Sequence, residues 1–215
     1  MDGRIPSSAV LGVLLAGGRS ERMGGGDKCL VELGGRPLLA HAIERLRPQV
    51  ASLVLNANGD ARRFARFDLP VVADTVTGFA GPLAGILAGM LFARDRMAGI
   101  RYVATVATDS PFFPGDLVAR LSAALEGGGK LAIARCGGRD YPVFGLFPIG
   151  LAGDLAEFLA TSRNLAVMAW IDRHASSSVE FETPGGAPDP FSNVNTPDDL
   201  AVAEAALNFP KLHKP

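Results

Sequence analysis

Cysteine is nearly missing from this chain: Cys29 and Cys136 are the two among 215 residues. Two such distant thiols exclude a disulfide framework and a cysteine-built metal centre, and they fit a reducing compartment. Each reads as a small buried side chain. Net charge is equally scarce. Twenty-one basic residues against 22 acidic ones leave −1, which argues against a nucleic-acid partner held by broad phosphate neutralisation. A local basic pocket stays open, because placement matters more than the sum. Long apolar runs are absent too. The first such run is too short to span a membrane and lacks the basic start of a secretory leader, so a cytoplasmic protein without a membrane partner is expected. Histidine is rare as well. His41, His174 and His213 fall in a predicted helix, a helix end and the tail, and no Ser/His/Asp order marks a nucleophilic triad.

What is present is core material. Hydrophobic residues make up 48% of the chain and charged ones 20%, enough for a sizeable interior and against global disorder. The length suits one large α/β domain or two small ones, and no linker divides it. One domain and a monomer are expected, with residues 1–8 and 209–215 as loose tails.

Short apolar runs read as buried strands: Val10–Leu15, then residues 52–55, 70–73, Tyr102–Ala107 and 130–134. Between them lie helical patterns at Leu38–Leu46, 82–93 and 114–125, each with a proline (Pro37, Pro82, Pro114) read as a first-turn residue. This alternation predicts a parallel sheet with crossover helices. Beyond Lys130 the pattern changes, to a longer strand over 141–147, helices over 151–159 and 165–171, and a short strand over 179–182. Residues 183–190 are rich in Pro and Gly and read as a loop. The last helix spans 196–207, with Thr196 as its cap, Pro197 first and Asp198-Asp199 at its positive end.

In open α/β sheets ligands sit beyond the carboxyl ends of the strands. That rule selects the residues after Leu15, after Leu55, after Ala73 and after Ala107. The first is the Gly-rich stretch AGGRSERMGGGDK, from Ala16 to Lys28. Its glycines let backbone N–H groups cradle phosphate oxygens, and Arg19, Arg22 and Lys28 can neutralise a triphosphate. It matches neither the common P-loop nor G-x-G-x-x-G. A solvated surface loop is the bland alternative.

Asp109 follows the run Tyr102–Ala107 and reads two ways: as a Mg²⁺ ligand sharing the ion with phosphate oxygens, or as a turn residue before Pro111. Asn56 and Asn58 follow the second strand and Asp74 the third; each is either a base or ribose contact or a turn residue. The glycines of Gly81-Pro82-Leu83-Ala84-Gly85 could admit a close approach by backbone or ligand. Asn193-Val194-Asn195 precedes the last helix and reads chiefly as a capping segment.

Together these residues resemble bacterial molybdenum cofactor guanylyltransferases, along nearly the whole chain from Val10 to Leu207. The matching pieces are LLAGGRSERMGGGDKCLVELGGRPLLAHAIERL, VLNAN, VVAD, GPLAGILAGM, ATDSPFFP, RDYPVFGLF and FSNVNTPDDL. The opening motif is shared with other nucleotidyltransferases; its combination with GPLAG and NVNTP is far more specific. The resemblance implies a Rossmann-like three-layer α/β/α fold with a mostly parallel central sheet. It implies GMP transfer from GTP to the terminal phosphate of molybdopterin, with Mg²⁺ as cofactor and with other cofactor-biosynthesis proteins or molybdoenzyme chaperones as partners. Leu15, Ala16, Gly17, Gly18, Lys28, Asn56 and Asp74 align with nucleotide-binding positions, and Asp109 with the metal ligand. Arg22, Lys28 and Asp109 are the catalytic candidates, with Arg19 a solvated bystander. Asn193, Asn195 and Tyr141 fall on the acceptor side, although related sequences often carry His at the position of Tyr141. Two alternatives stay open: a cytidylyl or other nucleotidyl transfer on the same fold, and a GTP-binding regulator without turnover.

Overall fold

The structure is a computed structural model that describes residues 5–17, 27–76, 81–183 and 187–207. Gly18, Arg19 and Arg22 of the Gly-rich stretch lie outside the described residues, as do His213 and the two expected tails apart from residues 5–8.

Among the described residues seven strands form one sheet in the order β5 (Val71–Val72), β4 (Ser52–Asn56), β1 (Val10–Leu15), β6 (Tyr102–Ala107), β8 (Arg139–Pro148), β7 (Leu131–Cys136) and β9 (Ser176–Phe181). β5, β4, β1 and β6 run parallel; β8 is antiparallel to both its neighbours, and β9 is parallel to β7. A two-stranded ribbon, β2 (Glu32–Leu33) and β3 (Arg36–Pro37), stands apart.

The near-continuous apolar runs follow from burial on both faces. In β1, Val10 and Leu14 join one core cluster while Leu11 and Val13 join the other, as a period of two requires. On the first face lie α1 (Leu38–Leu46) and α3 (Leu117–Glu126), packed through Leu39, Leu46 and Leu121. On the second lie α2 (Pro82–Arg96), α4 (Ala152–Thr161) and α5 (Val167–Ile171), packed through Ile86, Leu155 and Trp170. The result is the expected α/β/α three-layer fold with a mostly parallel sheet. Among the described residues no helix is long and apolar enough to cross a membrane.

Several sequence expectations move. Pro37 is the N-cap of α1 and ends β3, so it lies one residue before the first turn. α3 begins at Leu117, three residues after Pro114, because residues 114–116 form a turn in which the Leu117 N–H donates to the Pro114 carbonyl. The strand placed at 70–73 is a two-residue edge piece. The helix placed at 165–171 begins at Val167, and the strand placed at 179–182 is the longer β9. The strand placed at 141–147 begins at Arg139, because it is half of a hairpin with β7 whose turn residues Gly137 and Gly138 have φ of 54° and 77°. Two left-handed residues suit the tight turn that matches the twist of paired strands. Pro82 stands first in α2, as expected.

α6 (Pro197–Ala206) closes the fold. Thr196 caps it, and a reciprocal capping box pairs its hydroxyl with the Asp199 N–H while Asp199 accepts from the Thr196 N–H. Ala203 and Ala206 pack on Leu33, Leu38 and Phe112, and the Gly34 N–H donates to Glu204 at 2.8 Å. This docking of the last helix on the β2–β3 ribbon sets where the segment before it runs.

Candidate active site

The four strand ends selected from sequence converge. Leu15, Asn56 and Ala107 end β1, β4 and β6, the three adjacent central strands. They meet Gly17, Lys28, Asn58, Asp74 and Asp109 around one cavity of about 320 Å³. The chain runs from β1 outward to β4 and β5, then back to β6 on the other side, so the cavity lies where the strand order reverses.

Its floor is built from backbone pairs. The Ala16 N–H donates to the Asn56 carbonyl at 3.0 Å, and the Thr108 N–H and hydroxyl both donate to the Leu15 carbonyl at 3.2 and 3.0 Å. Ala16 is therefore buried beneath the cavity and does not line it.

One wall is a polar trio. The Asn56 amide donates to the Val72 carbonyl at 3.1 Å and to Asp74 Oδ1 at 2.9 Å. Asn58 donates to Asp74 Oδ2 at 2.7 Å and accepts from the Asp74 N–H at 2.9 Å. The trio is tight because α2 comes very close: a Cβ at Gly85 would stand 2.2 Å from Asn56 Oδ1 and 2.6 Å from Leu15 Cδ2. The close approach expected of this glycine is thus to the Asn56 side chain.

The opposite wall carries the charges. Lys28 is 7% exposed, rare for a lysine. Its ammonium donates to Asp109 Oδ2 at 2.5 Å and also to Asn195 Oδ1. Asn193 accepts from the fully buried Ser110 hydroxyl at 2.7 Å, and the Val194 N–H donates to the Asp109 carbonyl at 2.8 Å. Asn193 and Asn195, read from sequence chiefly as a capping segment, are thereby pinned beside Asp109 and Lys28. Beside Lys28, Cys29 is buried and its thiol is pushed up to about 12, first by desolvation and then by Asp27, so it is no nucleophile at neutral pH.

A second cavity of about 480 Å³ adjoins the first, sharing Ala107, Val143 and Asn193 with it and adding Arg139, Tyr141, Asp189 and Asn195. Tyr141 stacks on Phe191 with ring centroids 5.1 Å apart and donates its phenol hydrogen to Asp189. Burial first, and this bond next, push the phenol up to about 12. The Arg139 guanidinium lies 5.0 Å from the Tyr141 ring centroid. A further cavity, between Gly34, Arg36, Arg45 and Phe112, holds none of the residues nominated from sequence as site residues.

Sequence reasoning gave no role to Arg63, to Asp189 in the stretch 183–190 read as a loop, or to Phe191 at the head of the quoted FSNVNTPDDL. Ser110 stood in the quoted ATDSPFFP without a role. Among the described residues no cluster of three or more His, Cys, Asp or Glu gathers to hold a metal by itself.

The sequence signature of the MobA-like NTP transferase domain matches residues 12–177. A molybdenum cofactor guanylyltransferase of Rhizobium meliloti (strain 1021) is 47% identical over 200 residues, covering 92% of this chain and 91% of that one. One of Bradyrhizobium sp. (strain ORS 278) is 49% identical, covering 92% and 93%. Among solved structures, the molybdopterin-guanine dinucleotide biosynthesis protein A of Archaeoglobus fulgidus superposes with a TM-score of 0.70 at 22% identity, covering 91% and 97%. At that identity the likeness speaks for the fold.

Proposed function

The chain belongs to the MobA-like NTP transferase domain family, and from that premise we propose that it transfers GMP from GTP to the terminal phosphate of molybdopterin. The products are the guanine dinucleotide cofactor and pyrophosphate. One observation carries the reading: Lys28, Asp109, Asn193 and Asn195 gather at the junction of two adjoining cavities, one for each substrate.

GTP occupies the first cavity. Both Asp74 oxygens accept from Asn56 and Asn58, and each keeps a lone pair for a ribose hydroxyl or a base N–H. Gly17 leaves open space where a side chain would stand, which lets phosphate oxygens approach the backbone. Lys28 has three N–H donors, two of them on Asp109 and Asn195, so it can serve a phosphate oxygen as well. Arg22 shares the neutralisation of the triphosphate.

Molybdopterin occupies the second cavity. An oxygen of its terminal phosphate attacks the α-phosphorus of GTP in line. The new P–O bond forms as the bond to the bridging oxygen breaks, and pyrophosphate leaves with that electron pair. The nucleophile comes from the substrate, so the protein's part is positioning and charge neutralisation.

Asp109 fits a role as ligand of Mg²⁺. Its carboxylate and the Asn195 amide oxygen already share one cation, the Lys28 ammonium, and hard oxygens are what Mg²⁺ prefers. Asp109 would hold the ion together with phosphate oxygens and water; bound there, Mg²⁺ offsets charge on the triphosphate. The two free, buried thiols fit a reducing cytoplasm.

The deciding experiment is pyrophosphate release with purified molybdopterin and each of the four NTPs. GTP is expected to turn over fastest, to fail under EDTA and to recover with Mg²⁺. Equal turnover of CTP overturns the base assignment. GTP binding without pyrophosphate release identifies a regulator instead. An Asp109→Ala variant with full Mg²⁺-dependent transfer sinks the metal assignment.

A further inference from the structure

We infer that Arg63 is a positioning residue that holds the phosphate-binding and nucleoside-binding walls of the first cavity at one spacing. The inference rests on that cavity taking a nucleoside triphosphate.

Arg63 lies in the 3-10 stretch Ala61–Phe67 that follows β4. Three of its N–H groups reach three acceptors on two separate segments. Nε donates to Asp27 Oδ2 at 2.5 Å, Nη1 to the Asp60 carbonyl at 2.6 Å and Nη2 to the Asn58 carbonyl at 2.5 Å. Its Cζ lies 4.4 Å from the centroid of the buried Phe64 ring, a cation–π contact that orients the fork. Gly59, with φ of 84°, turns the chain under the guanidinium; a Cβ there would come within 3.3 Å of Nη1.

The acceptors are what give Arg63 a role beyond stability. Asp27 immediately precedes Lys28, and its carbonyl accepts from the Leu30 N–H, closing the short turn that presents the lysine. Asn58 is one of the two amides that hold Asp74. A continuous path therefore runs from the Lys28 turn through Asp27, Arg63 and Asn58 to Asp74 and Asn56. Arg63 does not line the cavity, so it acts through these partners.

Charge gives a second reason. The Asp27 carboxylate stands next to the residue assigned to a polyanion. Unneutralised, it would repel the triphosphate across a short distance. The Arg63–Asp27 pair is about three-quarters shielded, with side chains 29% and 25% exposed, so salt screens it less than a surface pair. Lysine could neutralise Asp27 but has no planar fork to span Asp60 and Asn58 as well.

The test compares wild type with Arg63→Gln and Arg63→Lys, measuring GTP affinity by calorimetry without acceptor and steady-state kinetics with each substrate varied. For Arg63→Gln, GTP Kd and KM are expected to rise about tenfold or more, from the loss of charge-assisted bonds. The acceptor KM stays unchanged, and kcat changes less than about twofold, as for a lost ground-state contact. Arg63→Lys recovers part of the loss. Asp27→Asn alone raises GTP KM, whereas in the Arg63→Gln background it lowers GTP KM, because the pairing is already lost there and only the repelling carboxylate is removed. If Arg63→Gln does not fold, the same split in Arg63→Lys, at reduced size, decides. Unchanged GTP affinity in a folded variant, or equal loss toward both substrates, overturns the inference. A wild type that neither binds GTP nor releases pyrophosphate overturns the site reading beneath it.

Discussion

Two side chains at the residue scale show how local chemistry and the site constrain each other. Gly85 is the first. Its missing Cβ leaves room for the Asn56 amide, which two hydrogen bonds hold in place. Gly85→Ala must push Asn56 away from Asp74 or lift α2 off β1. Overpacking of this kind costs about 1–3 kcal/mol, a fall in Tm of roughly 2–12 °C for a chain of this size. Calorimetry is expected to show that fall together with a raised KM for GTP; a helix-surface substitution such as Glu157→Ala should show neither. Tyr141 is the second. Its phenol is pushed up to about 12 from an ordinary 10, by burial and by its bond to Asp189. The neutral phenol is the form that the fold favours, so its contribution is complete below pH 10 and is lost as pH rises from 10 through 12. Thermal midpoints between pH 9 and pH 12 are expected to drop more steeply for wild type than for Tyr141→Phe.

At the scale of elements, the cap of α6 doubles as part of the site. Asp199 Oδ2 accepts from the N–H groups of both Thr196 and Asn195 at 2.9 Å, and the Asn195 bond, first among its partners, holds the Asp199 carboxyl below the usual carboxylate range. Thr196→Ala removes one cap hydrogen bond and is expected to cost about 1 kcal/mol of stability with transfer kinetics preserved. Asp199→Ala costs a similar amount and also frees the backbone of Asn195, whose amide meets Lys28. Its kcat is expected to fall while that of Thr196→Ala does not. Equal kinetics in the two variants would uncouple the cap from the site. Thr196 before Pro197 and the Asp198-Asp199 pair made this cap readable in advance; the return bond from the Thr196 N–H to Asp199 is what the structure added. The β7–β8 hairpin was less legible: its strands were expected, but their antiparallel pairing needed the left-handed Gly137-Gly138 turn.

At the scale of the whole molecule, three layers share one sheet, and both core clusters draw on β1, β4, β6, β7 and β8. Shared strands couple the two faces, so a single cooperative thermal transition is expected by calorimetry, and light scattering is expected to return the 22.4 kDa of one chain. Two resolved transitions would mean more than one domain. A ligand bound to the native state alone adds about 2.7 kcal/mol at a hundred times its Kd, a rise in Tm of roughly 5–10 °C. GTP with Mg²⁺ is expected to produce that rise in wild type and to lose most of it in Lys28→Ala.

The strand–helix alternation, the strand ends and the Gly-rich run before Lys28 were legible because burial on two faces and sharp turns leave periodic, local marks in a chain. So did Asp109, as a polar residue placed just past an apolar run. What only the tertiary structure decided is which distant segments meet. Asn195 reaches Lys28 across 167 positions because α6 docks on the β2–β3 ribbon. Tyr141 finds Asp189, and Arg63 finds Asp27, across 48 and 36 positions. Such pairings follow from how apolar faces stack rather than from any repeat along the chain. An arginine in a charged 3-10 turn and an aspartate in a Pro-rich loop look like solvated surface until the packed layers set them against their partners.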